Sequence, residues 1–266
     1  MRVVVTRERL IGPRVFRGAL LGSFVHILLC LLLVRLLSVS FAVVAAEVPS
    51  SRRSLNAIAH VEPALRSELA AKGLAFGAPI YIRVFKQTAE LELWVESQAP
   101  EQAAQVFSLY KTYRICYFSG RLGPKQRQGD GQSPEGFYFV GAANMNPWSR
   151  FHLSFNLGYP NAYDRYHKRT GSALMIHGDC VSIGCYAMTD AGINEIYAMA
   201  DAALRNGQAF FRVHVFPFRL TDQKLASMRG HQWYGFWGNL KKGYDYFEDH
   251  KRPPNVEVVN GRYAFE

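Results

Sequence analysis

Apolar residues recur at every second position along PIYIRVF (79–85), where Ile80, Ile82 and Val84 share one face. The same holds for ELELWV (90–95), with Leu91, Leu93 and Val95. A period of two predicts strands, and the few residues between the runs predict a hairpin. Strand-like runs recur at VFSLYKTYRICYF (106–118), GFYFVGA (136–142), RFHLSFNL (150–157), ALMIHG (173–178) and AFFRVHVF (209–216). Two stretches carry helical spacing instead. Leu55, Ile58, Val61, Leu65 and Leu69 predict a helical arm between Ser54 and Lys72, broken near Pro63 and closed by Gly73. Ile193, Ile196, Tyr197, Ala200 and Leu204 predict a helix capped by Thr189 or Asp190 and ended by Gly207. No internal repeat is present.

Short strands with one or two helices predict a β-rich α+β domain. The form expected is a sandwich or partly closed barrel carrying a helix, its alternating strands solvated on one face. Residues 217–266 differ in texture. HQWYGFWGNLKKGYDYFEDH (231–250) is a helix-like stretch dense in aromatic residues, and a short VEVVNGRYAF strand follows. It reads as an appendage packed on the domain, and its aromatics could also border a glycan or peptide groove. The expected organisation is a leader (1–46), a helical arm (47–78), a catalytic domain (79–216) and the appendage (217–266).

The leader is read from its ends. Arg2, Arg7, Arg9, Arg14 and Arg17 precede an apolar run, Gly18–Val34, and the segment closes on small residues, Val44 and Ala46. That pattern is a secretory signal cleaved after Ala46. Arg35 interrupts the apolar stretch, and a run of 17 residues approaches a membrane span, so an uncleaved anchor is the alternative. Either way the remainder is exported, and a periplasmic location is expected, with membrane contact only through an uncleaved leader. Of 31 Lys+Arg and 21 Asp+Glu, the leader holds 6 and 1, so the remainder is only mildly basic. No block of like charge suggests nucleic acid.

Compartment gives the cysteines their meaning. Beyond Cys30 in the leader remain Cys116, Cys180 and Cys185, an odd number for an oxidising environment. Two of them lie in HGDCVSIGC (177–185), which also supplies His177 and Asp179. Those residue types fit zinc, but structural zinc sites take paired ligands from two knuckles, and the chain has no second cluster. A Cys180–Cys185 bridge would close a short loop and strand Cys116. Cys116 with Cys180 is the expected pair, bridged or buried, leaving Cys185 free.

A free Cys185 suits nucleophilic catalysis. It lies between a strand ending at His177 and a helix starting near Thr189, whose dipole would favour thiolate. His177 can act as general base. Gly184 permits a tight turn that aims backbone N–H groups at an oxyanion, Gly178 leaves its carbonyl accessible to orient the imidazole, and Ser182 can hydrogen-bond within the loop.

HG…S-x-G-C, behind a β-rich domain and a secretory leader, resembles the catalytic signature of the L,D-transpeptidases, the YkuD-type fold. GDGQSPEGFY (129–138) resembles that family's loop before a strand, and GCYAMTD (184–190) and HQWYGFW (231–237) resemble its YafK-like branch. The likeness covers residues 79–216 and, more loosely, the tail. It implies that Cys185 attacks a diaminopimelate carbonyl in a peptidoglycan stem peptide, forming a thioester that an amine or water resolves. His177 would be proton acceptor and donor, and the Gly178 carbonyl its orienting group, with no cofactor or metal. Two positions depart from the pattern. Ile183 stands where many members have histidine, and Ala187 where many have an arginine that holds a substrate carboxylate. Arg114, Arg121, Lys125 or Arg127 would have to replace that cation. The branch implies an amidase that releases peptidoglycan-linked lipoprotein, with cross-link formation as the alternative. In a different class, a non-catalytic envelope-polymer binding module, the cysteines would be merely structural.

Overall fold

The computed structural model describes residues 47–97 and 106–266; the expected leader lies outside them. Two five-stranded sheets and two helices share one core. Strands β1 (Ile80–Phe85), β2 (Glu90–Ser97), β3 (Val106–Arg114), β5 (Gly136–Gly141) and β10 (Phe210–Phe216) form the first sheet, in the order β3-β2-β1-β10-β5. Only β1 and β10 run parallel within it. The second sheet orders β4 (Tyr117–Phe118), β9 (Tyr186–Ala187), β8 (Met175–His177), β7 (Ser154–Asn156) and β6 (Met145–Asn146). Its one parallel pair is β8 with β9.

The helices are α1 (Arg52–Ala70), the short α2 (Ala162–Tyr166), α3 (Asp190–Arg205), the short α4 (Asp222–Ala226) and α5 (Tyr234–His250). Helices α1 and α3 pack together, and α3 reaches β1, β10 and β7, so it touches both sheets. Ile82, Val84, Leu93, Val213 and Val215 from the first sheet meet Phe155, Ile176 and Tyr186 from the second around Ile193, Ile196 and Met199 of α3. Thr189 caps α3, its side chain accepting the Gly192 N–H, and Gly207 follows the helix at φ +100°.

Several expectations need correction. The sheets do not close into a barrel. Each is open at both edges, and three of the five strands in the second sheet are only two residues long, too short to carry a continuous ladder around the core. The 106–118 run is not one strand but splits between the sheets. The Ile115 N–H goes to Ala89 and the Cys116 N–H to Ala187, so the chain changes partner there. Of 150–157 only three residues pair; the carbonyls of Ser149 and His152 are taken instead by the Arg53 guanidinium. Helix α1 runs unbroken through Pro63. Both Pro63 and Ala59, whose carbonyl loses its partner, are exposed, so water can satisfy that carbonyl. Leu55, assigned to the apolar face, is instead exposed, and Ser54, Ala57, Leu65 and Leu69 are buried.

The outer face of the first sheet is not solvated either. All six residues of β1 are buried. The reason lies in the C-terminal region, where α5 (Tyr234–His250) and a hairpin of β11 (Val256–Val259) and β12 (Arg262–Phe265) cover that face. Phe85, Phe137 and Phe216 of the sheet join Trp237, Leu240 and Tyr244 of α5 and Tyr263 of the hairpin in a second core. Arg83, which reads as a solvent-facing residue, is 2% exposed. It pairs with Glu248 of α5 at 2.7 Å and lies against the rings of Tyr244 and Phe247. Buried guanidinium demands that much company.

Candidate active site

Strand β8 ends at His177, and β9 begins just after Cys185. The parallel register pairs Ile176 with Tyr186 and His177 with Ala187. Side chains two residues apart on a strand share a face, so His177 and Ala187 lie on the same side as Met175 and Cys185. The Met175 N–H donates to Cys185 Sγ at 3.4 Å, and Sγ lies 3.6 Å from the Ala173 carbonyl. The thiol is thus held just ahead of β9, an inner strand of the second sheet, partly accessible, with His177 on the adjacent β8.

The imidazole is oriented by its own neighbour. His177 Nδ1 lies 2.6 Å from the Gly178 carbonyl oxygen. A carbonyl can only accept, so Nδ1 carries the proton and Nε2 keeps its lone pair. Phe151 tilts against the ring at 4.7 Å between centroids. Burial holds the imidazole below its usual pKa, against the opposing effects of the Gly178 carbonyl and Asp179. At neutral pH it is therefore a neutral base.

The loop between the pair is shaped by hydrogen bonds and a disulfide. Cys116 is bonded to Cys180 with Cα atoms 5.3 Å apart, and Cys185 is free. That bond removes Cys180 from any zinc ligand set. Gly184 sits at φ +152°, a backbone conformation that disfavours side chains. Its N–H donates to Ser182 Oγ at 3.1 Å, and that hydroxyl donates to the Cys185 carbonyl at 2.8 Å. The Gly184 amide is therefore committed to the loop and is not the free oxyanion donor expected from its position.

A second expectation also changes. Helix α3 starts at Asp190, beyond β9, Met188 and the cap Thr189. Cys185 is therefore not at the helix start, and burial is the largest influence on its thiol. Burial pushes the Cys185 thiol up, and the Met175 N–H and the Lys125 ammonium only partly oppose it. The resting group is a thiol that needs a base.

The basic candidates separate in space. Arg114 ends β3, opposite Glu90 on the first sheet. Arg121, Lys125 and Arg127 share the loop 119–135 between β4 and β5. Lys125 is the cation whose charge reaches Cys185, yet it is buried and bound to Asp130 at 2.5 Å. Ala187 is fully buried on β9.

Three contributors escaped sequence reasoning. Ser133 Oγ donates to the Cys185 carbonyl at 3.2 Å, joining Ser182 on the same oxygen. The Met175 amide contacts the sulfur through the backbone, which no residue type announces. Lys86 and Glu135 form a pair with 0% exposure on either side chain. Lys86 Nζ also donates to the carbonyls of Arg121, Gly123 and Ser133, and Glu135 accepts from the Gly123 N–H and from Trp237 Nε1. Burial lowers the Lys86 pKa, against the effect of Glu135. SPEG (133–136) was visible as a motif, but Lys86 lies 49 residues upstream of Glu135, and nothing in the sequence pairs them.

The sequence profile of the L,D-transpeptidase catalytic domain, YkuD, matches residues 81–215. Two proteins named YafK, from Escherichia coli strain K12 and Escherichia coli O157:H7, are assigned by name, provisionally, to the L,D-transpeptidases. Each is 50% identical to this chain over 188 residues, which is 71% of this chain and 74% of theirs. Among solved structures, the helical cell shape determining protein Pgp2 of Campylobacter jejuni aligns over 74% of this chain and 80% of its own. It does so at 16% identity with a TM-score of 0.40, a likeness too loose to carry an argument.

Proposed function

The chain belongs to the L,D-transpeptidase catalytic-domain family, and from that premise we propose an exported amidase that cleaves at diaminopimelate in peptidoglycan stem peptides, releasing linked lipoprotein. The family consists of cysteine acyltransferases acting on peptidoglycan. The observation that carries the reading is the free Cys185 thiol just ahead of β9, the strand paired with the one that ends at His177, whose Nδ1 is bound to the Gly178 carbonyl.

Chemistry follows from that pair. His177 Nε2 takes the thiol proton as Sγ attacks the amide carbon of diaminopimelate. The C–N bond breaks, the departing amine receives the proton from Nε2, and a thioester remains on Cys185. Water, deprotonated by the same nitrogen, then attacks the thioester, and the thiol leaves reprotonated. With the Gly184 amide engaged by Ser182, the amide of Cys185 itself takes the oxyanion role. Ser182 and Ser133, both donating to the Cys185 carbonyl, keep that peptide unit from rotating.

What surrounds the thiol supports a protein-linked donor over a free tetrapeptide end. Ala187 offers no cation to a free donor carboxylate, and Lys125 is tied to Asp130. A charge-assisted hydrogen bond of that kind contributes about 1.5–3 kcal/mol, so a free tetrapeptide end binds weakly. A diaminopimelate amidated to a protein chain has no such carboxylate to satisfy. Incubation with lipoprotein-bearing peptidoglycan and with free tetrapeptide fragments, read by mass spectrometry, tests this. Release of the protein without dimers is expected, and Cys185→Ala should abolish it. Cross-linked dimers as main product, with the lipoprotein link untouched, would establish the transpeptidase instead.

A further inference from the structure

Arg121 and Arg127 are exposed on the loop 119–135, and neither guanidinium has an ion-pair or hydrogen-bond partner among the described residues. They line one cleft of about 600 Å³ whose opposite wall is His231, Gln232 and Trp233, the segment leading into α5. The one carboxylate in the cleft, Asp130, is already neutralised. It accepts from Lys125 Nζ at 2.5 Å and from the N–H groups of Gln126, Arg127 and Gln132 at 2.8–3.1 Å. Two unpaired cations thus face open space with no competing anion.

The cleft is rigidly built. The buried Lys86–Glu135 pair holds the backbone at Arg121, Gly123 and Ser133, and Glu135 also anchors Trp237 of α5. Both walls are therefore fixed to the same two buried charges. At Gly123, φ +128°, a Cβ would stand 2.4 Å from Trp233 Nε1, so the indole seats directly on the loop backbone. His231 stacks on Trp237 at 4.4 Å and accepts the Trp233 N–H, fixing that wall in turn.

The cleft adjoins the reactive loop. The Gln132 side chain lines it, donating to the carbonyls of Arg121 and Gly123. The Gln132 carbonyl lies 3.8 Å from the position a Cβ on Gly184 would take, one residue before the thiol. Resting on the peptidoglycan reading above, we propose that Arg121 and Arg127 form a subsite for a carboxylate of the stem peptide remote from the scissile carbonyl, with the Trp233 indole as a flat wall for the peptide's hydrocarbon. Planar guanidiniums pair with carboxylates in a bidentate fashion, which makes the subsite selective for a carboxylate over its amide. This is distinct from the donor carboxylate that an arginine at position 187 would hold.

Calorimetry on the full exported chain carrying Cys185→Ser, which cannot turn over, tests the proposal. The probes are a soluble disaccharide stem peptide whose diaminopimelate is amide-linked at the scissile carbonyl to a short peptide, with free side carboxylates, and the same molecule with those side carboxylates amidated. The free form should bind, and Arg121→Gln with Arg127→Gln should weaken it about tenfold or more, with unfolding temperature unchanged. The amidated form should bind weakly to both proteins. Trp233→Ala should weaken both forms by similar factors. Equal binding of the two peptides, no effect of the double substitution, or no binding of either peptide overturns the proposal. Arginine-dependent binding in a protein whose Cys185 form neither cleaves nor cross-links would leave the subsite standing and remove the reaction proposed above.

Discussion

A methyl group at position 178 would sit 2.6 Å from Asp190 Oδ1, 3.1 Å from His152 Cβ and 3.1 Å from Ile193 Cγ2. Asp190 cannot retreat freely, because its Oδ1 holds the Asp179 N–H at 2.9 Å. The glycine is therefore required by space, at the residue whose carbonyl orients His177. Gly178→Ala should cost about 1–3 kcal/mol of stability, as overpacking of a filled site does. It should also slow Cys185 alkylation at neutral pH, because a displaced carbonyl no longer fixes the Nδ1–H tautomer. Denaturant titration and iodoacetamide kinetics read the two effects separately. A stability loss with unchanged alkylation would separate the glycine's packing role from the imidazole.

At the scale of elements, the loop 119–135 and helix α5 are joined by charges that neither could bury alone. Lys86→Met leaves Glu135 without its cation, and breaking a buried pair this way costs about 3–5 kcal/mol. Glu135 would retain only the Gly123 N–H and Trp237 Nε1. Adding Glu135→Gln removes the orphaned charge, so the double variant should recover part of the loss in urea titrations. Equal loss in single and double variants would mean that the lysine's three carbonyl contacts, not its charge, hold the loop. This network also shows where sequence reading stops. The β1–β2 hairpin, β5, β10 and α3 were legible because their periodicity is local. So was the cluster around His177 and Cys185, carried by nine consecutive residues. The covered outer face of the first sheet was not legible, because Arg83 looks like a solvent residue until Glu248 arrives from α5, 165 positions later. The two-residue strands of the second sheet are too short to leave any period, and β9, which stands between Cys185 and the helix, was not legible for the same reason.

For the molecule as a whole, acid is the expected weakness. His214 is fully enclosed, with Tyr81 Oη 2.7 Å from its Nδ1 and Phe137 and Phe216 edge-on to its ring. Burial, with the positive Arg212 and Arg83 adding to it, holds its pKa well below the ordinary histidine value. His177 is shifted in the same direction. The unfolded chain binds protons at these sites from about pH 6.5 downward while the folded chain does not. Stability is thus fully present above that pH and is lost as pH falls toward the folded values. Denaturant titrations between pH 8 and pH 5 should show the decline, and His214→Gln should flatten it; an unaltered slope would mean His214 does not titrate on unfolding. The Cys116–Cys180 bond bears on the molecule in another way. Three thiols can pair in three ways, and only one leaves Cys185 uncapped. A chain oxidised between Cys180 and Cys185, five positions apart, would lack the thiol that the proposed reaction uses, however well it folded. The share of chains with a free Cys185 therefore counts those in which two residues 64 positions apart found each other, so the oxidation step acts as a sorting gate.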